Sequence, residues 1–149
     1  MTVFTKLGFN IDYYLPDRHS EGYGLHIESL QKLIPKYDLL ITVDCGITAL
    51  DEVDYAKDKI DMIITDHHLP REILPDAFAI INPTQTQCNY PNKNLCGVGV
   101  AFKLCQGLYQ SLNKDIHELE NYLDIVALGT IADIVPLVDE KSSYCQKKD

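Results

Sequence analysis

Two short apolar runs in the sequence end on groups that bind metals or move protons. Residues 39–43 read LLITV and lead into Asp44, Cys45 and Gly46, while residues 62–65 read MIIT and lead into Asp66, His67 and His68. Ligand sites in open α/β sheets lie beyond the carboxyl ends of the strands. An Asp and a His that leave adjacent strands at one edge can therefore share a cation. Carboxylate oxygen with imidazole nitrogen, and no thiolate, suits manganese, magnesium or zinc. Gly46 would let the backbone turn sharply and come close to a ligand. In an extended segment the side chains of His67 and His68 point apart, so one would bind metal and the other meet substrate. The plainer reading of either is a hydrogen-bonded surface histidine. Their coincidence with Asp44 and Asp66 at equivalent strand ends favours a site.

A third carboxylate, Asp133, sits in LGTIADIVPL among Leu128, Ile131, Ile134, Val135 and Leu137. A carboxylate in such a stretch is costly to bury unless it is paired or metal-bound; the alternative is a surface Asp at a helix end near Pro136. Arg18 with Gly22, Tyr23 and Gly24 could offer a guanidinium and backbone amides to a phosphate, or form a plain turn. Gly97 and Gly99 could leave amides free for an anion, or permit close packing.

These groups need elements to hold them. Residues 11–15, 39–43, 62–65 and 78–81 are short, apolar and bounded by polar or turn residues, which predicts four strands. The second and third have little polar alternation, as in strands buried on both faces of a parallel sheet. Residues 26–34 predict a helix stopped by Pro35, and residues 48–59 one capped by Thr48 with Asp51 three positions on. Val98, Ala101, Phe102, Cys105, Leu108, Tyr109 and Leu112 mark one helical face; Leu119, Tyr122, Leu123 and Val126 mark another. The alternation of strand and helix predicts an α/β domain, a parallel sheet flanked by helices, over residues 1–140. The long polar loop 82–96 is of the kind that carries function, and residues 141–149 are expected to be a disordered tail.

Composition narrows the function classes. A chain of 149 residues fits one domain. With 13 Lys plus Arg against 22 Asp plus Glu, the formal charge of −9 counts against wrapping of nucleic acid by a basic surface. If the chain handles phosphates, bound metal has to attract them. Five cysteines, odd in number and without a C-x-x-C pair, argue against a disulfide framework or zinc finger and for a reduced, cytoplasmic chain. No apolar run long enough to span a bilayer occurs, and the start lacks an apolar signal core, so neither membrane association nor a signal peptide is expected.

Six pieces in order, YYLPDRHSEGYGL, VDCGI, TDHH, INP, CGVGVAFKL and LGTIADIVPL, resemble the DHH phosphoesterase superfamily, and within it the RecJ-type single-strand-DNA exonucleases. The resemblance covers nearly the whole chain. It implies hydrolysis of phosphodiester or phosphoanhydride bonds with two divalent ions, Mn2+ or Mg2+. By resemblance, Asp44 is the carboxylate that bridges the ions, His67 a ligand of one of them, and Asp133 its further carboxylate. His68 is implied to contact the scissile phosphate, and Asp66 to orient the site. Arg18 and Tyr23 resemble residues that engage single-stranded DNA near its 5′ end.

One departure bears on the expectation. The family's first motif, an Asp-x-Asp pair, does not precede Tyr13, and Asp12 falls within a predicted strand. The resemblance therefore implies a core portion of a 5′-to-3′ single-strand-DNA exonuclease, weak or inactive alone, with an N-terminal segment and C-terminal domains elsewhere and one edge of its sheet uncovered. Two other readings stand beside it: a DHH enzyme acting on pyrophosphate or small nucleotides, and a non-catalytic domain that binds a partner or one metal.

Overall fold

The computed structural model describes residues 2–17, 19 and 21–136. Arg18 and the expected tail at 141–149 lie outside the described residues. Three strands form the sheet, β1 (Leu39–Val43), β2 (Asp61–Thr65) and β3 (Ala79–Ile81), all parallel and in that order. The helices are α1 (Thr2–Lys6), α2 (Ile27–Leu33), α3 (Leu50–Ala56), α4 (Gly97–Ser111) and α5 (Leu123–Ala132), with a 3-10 turn at Ile116–Tyr122. Among the described residues, no helix is long and apolar enough to cross a membrane.

The register matters most for function. Val43 pairs with Thr65 and Thr65 with Ile81. The next residues, Asp44, Asp66 and Asn82, therefore leave the sheet in one row. Two further ladder bonds extend that row: the Asp44 amide donates to the Thr65 carbonyl (2.9 Å) and the Asp66 amide to the Ile81 carbonyl (3.1 Å).

Two cores hold this edge in place. Leu30 of α2 and Val53 and Ala56 of α3 bury against Met62 and Ile64 of β2. Alternate residues of a strand face one side, so β2 gives this core its even-numbered positions. The second core joins Phe102 and Tyr109 of α4 to Leu119, Leu123 and Val126, with Val3 and Leu7 against it. A Cβ at Gly129 would come 2.5 Å from a Val98 methyl, so this glycine lets α5 lie close to α4.

Several expectations are corrected. Residues 11–15 form no strand. Their polar groups are used otherwise: the Tyr13 amide donates to the Asp12 carboxylate (2.8 Å), and the Tyr37 hydroxyl to the same side chain (2.9 Å). Side chains of this kind compete with ladder formation. β1 is not buried on both faces; it is an edge of the described sheet, with Leu39 and Val43 exposed. The helix expected from Thr48 starts at Leu50 without a side-chain cap, because residues 46–49 make a turn closed by the Ala49 amide on the Gly46 carbonyl. The last helical pattern is split: a 3-10 turn capped by the Asp115 side chain precedes α5, which continues through Gly129.

Candidate metal centre

The turn after β1 determines where Asp44 points. The Thr42 hydroxyl donates to the Cys45 carbonyl (2.7 Å) and the Thr65 hydroxyl to the Thr42 carbonyl (2.6 Å). Within that turn Asp44 takes φ 66°, a left-handed conformation that is uncommon away from glycine. Such strain persists where surrounding bonds over-determine it, and it clusters at functional sites. The Tyr23 hydroxyl adds a bond to the Asp44 carbonyl (2.9 Å). Gly97, the first residue of α4, completes the cradle: a Cβ there would collide with the Asp44 carboxyl group. Of the two readings of Gly97, close packing is the one the structure contains.

The turn after β2 is organised by Asp66, which is 1% exposed. One of its oxygens accepts the Ile47 amide (3.0 Å). The other accepts the amides of His67 (2.7 Å) and His68 (3.2 Å) and faces the His68 Nδ1 at 2.6 Å. Burial alone would raise the Asp66 pKa, but the Ile47 amide, the His68 ring and the two histidine amides together hold it below its ordinary value. An ionised carboxylate only accepts, so His68 Nδ1 carries a proton. The expectation that His67 and His68 point apart is corrected here. Both amides fold in on one carboxylate, strand alternation ends at Thr65, and the two rings lie with centroids 4.5 Å apart.

His67 Nε2 lies 3.1 Å from Asp44 Oδ1 and 3.3 Å from Asp133 Oδ2. Asp133 caps the C-terminus of α5, and the next residue, Ile134, has φ 52°. The surface reading of Asp133 is the one the structure contains: it is an exposed helix-end residue among exposed apolar neighbours, and its carboxylate faces the imidazole. Asp44 Oδ1 and His67 Nε2 are buried and make no hydrogen bond, although a buried polar atom ordinarily has a partner. Among the described residues, ligand atoms of Asp44, His67 and His68 fall within 4.8 Å of one another. Burial raises the Asp44 pKa, His67 opposes the rise, and Asp133 adds to it. A divalent cation answers each of these features: two orphaned donor atoms, a carboxylate disfavoured as an anion, and an oxygen–nitrogen ligand set.

Of the residues singled out in the sequence, Asp44, His67, His68 and Asp133 are brought together. Tyr23 stands beside them, 62% exposed, in a turn where Gly22 and Gly24 take positive φ. Sequence reasoning missed Thr42, Thr65 and Asn82, whose signal was a lone polar residue within or directly after an apolar strand. Burial pushes the thiol of Cys45 up to about 11, so without a metal it is a protonated thiol at neutral pH.

A family model described as the DHH family, N-terminal domain, matches residues 1–130. The chain is 47% identical over 137 residues to the single-stranded-DNA-specific exonuclease RecJ of Bacillus subtilis, covering 91% of this chain and 17% of that protein. It is 46% identical over 139 residues to RecJ of Escherichia coli, covering 86% and 24%. A crystal structure of exonuclease RecJ bound to manganese superposes with TM-score 0.86 at 33% identity, covering 96% of this chain and 36% of that one. RecJ from Thermus thermophilus in complex with Mn2+ gives 0.78 at 28% identity, with 96% and 20% covered. The chain spans 17–24% of the length of these two curated relatives.

Proposed function

The chain belongs to the DHH family, matching its N-terminal domain, and from that premise we propose that it is the part of a 5′-to-3′ single-strand-DNA exonuclease that holds one side of a two-ion centre. The observation that carries this reading is the pair of buried, unbonded atoms Asp44 Oδ1 and His67 Nε2, 3.1 Å apart with Asp133 alongside. The relatives whose names state single-stranded DNA as substrate, and the solved neighbours that hold manganese, support it.

In this reading Asp44, His67 and Asp133 would hold Mn2+ or Mg2+. When bound, the ions lower the pKa of a water and neutralise charge on the attacked phosphodiester. The chain's own groups prepare that step. Asp66 keeps the proton on His68 Nδ1, leaving Nε2 to face the scissile phosphate. Asp44 Oδ1, packed beside Gly97, is kept from water. Tyr23 and Arg18 engage the strand near its 5′ end, the first from its exposed position beside Asp44. Bound cations reconcile a chain of net charge −9 with a polyanionic substrate. The setting is cytoplasmic DNA repair and recombination.

Calorimetric titration with Mn2+, on the chain and on its Asp44→Ala and His67→Ala variants, tests the reading. Loss in each variant should exceed the roughly 10–100-fold that removal of an outer partner costs. Absence of binding in the parent chain, or binding unchanged in either variant, overturns it.

A further inference from the structure

Asn82 is 2% exposed, although asparagine is mostly a surface residue. It is the third member of the row that leaves the sheet, yet it carries no charge and is not one of the clustered metal-ligating side chains. Its hydrogen bonds go to the segment that carries the histidines. Asn82 Nδ2 donates to the His68 carbonyl (2.9 Å), and the Thr84 hydroxyl donates to the same carbonyl (2.9 Å). Asn82 Oδ1 in turn accepts from the Thr84 amide (2.8 Å) and lies 2.7 Å from the Thr84 hydroxyl, whose single proton serves either this oxygen or the His68 carbonyl. Asn82 and Thr84 thus form a closed unit with one outward target, the backbone of His68.

His68 is therefore held from two sides. Asp66 takes its amide and its ring Nδ1, while Asn82 and Thr84 take its carbonyl. Asp66 also takes the His67 amide, but the Asn82 and Thr84 bonds go to His68 alone, while the His67 ring meets Asp44 and Asp133. We propose that Asn82, supported by Thr84, is a positioning residue that fixes the direction of the His68 ring separately from the ligand His67. The proposal rests on the reading of His68 as the phosphate-facing imidazole. It makes the loop that follows β3 the support of the group that meets substrate, while β1 and α5 support the metal side.

Proton–nitrogen correlation of the histidine rings, recorded on this chain without metal, tests it. The His68 Nδ1 proton, held by a buried carboxylate, should give a slowly exchanging low-field signal that Asp66→Asn removes. Asn82→Ala should broaden or abolish that signal, and Thr84→Val should weaken it. Thr84→Ser, which keeps the hydroxyl, should preserve it. Mn2+ affinity measured beside it should change by less than the roughly 10-fold expected when a ligand's own support is lost. A His68 signal unchanged in Asn82→Ala overturns the proposal, as does a parallel fall of signal and Mn2+ affinity, which would make Asn82 a support of the whole site. If Asn82→Ala does not fold, the Thr84→Val and Thr84→Ser pair decides by the same signal. Because the ring signal needs no metal, a parent chain that fails to bind Mn2+ would overturn the functional reading and leave this test intact.

Discussion

The two ends of the sheet carry similar residues and do different things with them. At the amino end, Asp38, Asp58, Asp61 and Asp76 are exposed. Lysines stand among them: Lys57 meets Asp76 at 2.5 Å with both side chains in solvent, and Lys59 donates to the Tyr55 carbonyl. At the carboxyl end, the ion-pair partners of Asp44, Asp66 and Asp133 are imidazoles, and two of the atoms that face each other are buried without a hydrogen bond. Composition does not separate the two ends. Direction and register do: parallel strands in register send Asp44, Asp66 and Asn82 out of one edge together, whereas the acidic residues on the other side lie exposed at the strand starts and in the connections that precede them.

The sharpest way to break this contrast is to refill the cradle. Gly97→Ala places a methyl where the Asp44 carboxyl lies, and the obstruction is the proposed ligand itself. Mn2+ binding should be lost, with stability lowered by about 1–3 kcal/mol, as in other overpacked sites. Gly107 stands on the same helix with nothing near its Cβ position, so Gly107→Ala should leave binding intact and raise stability by about 0.5–1 kcal/mol. Calorimetry and urea unfolding on both variants check the pair. Equal behaviour of the two would mean that Asp44 moves freely, and the cradle would lose its meaning.

Asp66→Asn should come next. The substitution turns one acceptor oxygen into a donor that faces other donors, with an expected cost of about 1.5–3 kcal/mol for bonds to a charged group. The pH dependence has a definite sign. Asp66 is held below its ordinary value of 3.8, so the stability it contributes is present above the unfolded pKa and is lost as pH falls through the folded one. The gap between wild type and variant should therefore be widest near neutrality and close in acid. Asp44, whose pKa burial raises, acts in the opposite direction; Asp66→Asn removes only the last of the causes of that rise, so Asp44 does not produce the closure. Urea midpoints between neutral pH and pH values below the carboxylate range check it; a gap that stays constant would remove Asp66's charge from the account.

How much of this was legible beforehand follows from the same contrast. LLITV before Asp44 and MIIT before Asp66 named the strand ends, because an apolar run that stops on ionisable groups is visible in one dimension. Asp133 was visible for a similar reason, as a carboxylate among apolar neighbours. The convergence of His67 and His68 was not, since it depends on a turn in which both amides fold onto Asp66. Nor was the role of Asn82, which the INP piece marked only by resemblance until the register set it beside Asp66. Residues 11–15 have strand composition, but Asp12 and Tyr14 spend their polar groups on side-chain partners, and composition cannot reveal such competition.

The smallest expected effect comes from the amino end and completes the comparison. Lys57→Ala removes the partner of Asp76, an exposed pair joined across the chain from the end of α3 to the loop before β3. Asp76 raises the Lys57 pKa through a hydrogen bond and its charge, but both groups remain hydrated when separated, and such pairs contribute little to stability. Thermal unfolding should not distinguish the variant from wild type, and the Mn2+ titration should be superimposable. A clear loss of metal affinity in Lys57→Ala would mean that the two ends of the sheet communicate through β2. In that case the division between a satisfied end and a binding end would describe the static arrangement of charges, and the energetics of the site would have to include the whole strand.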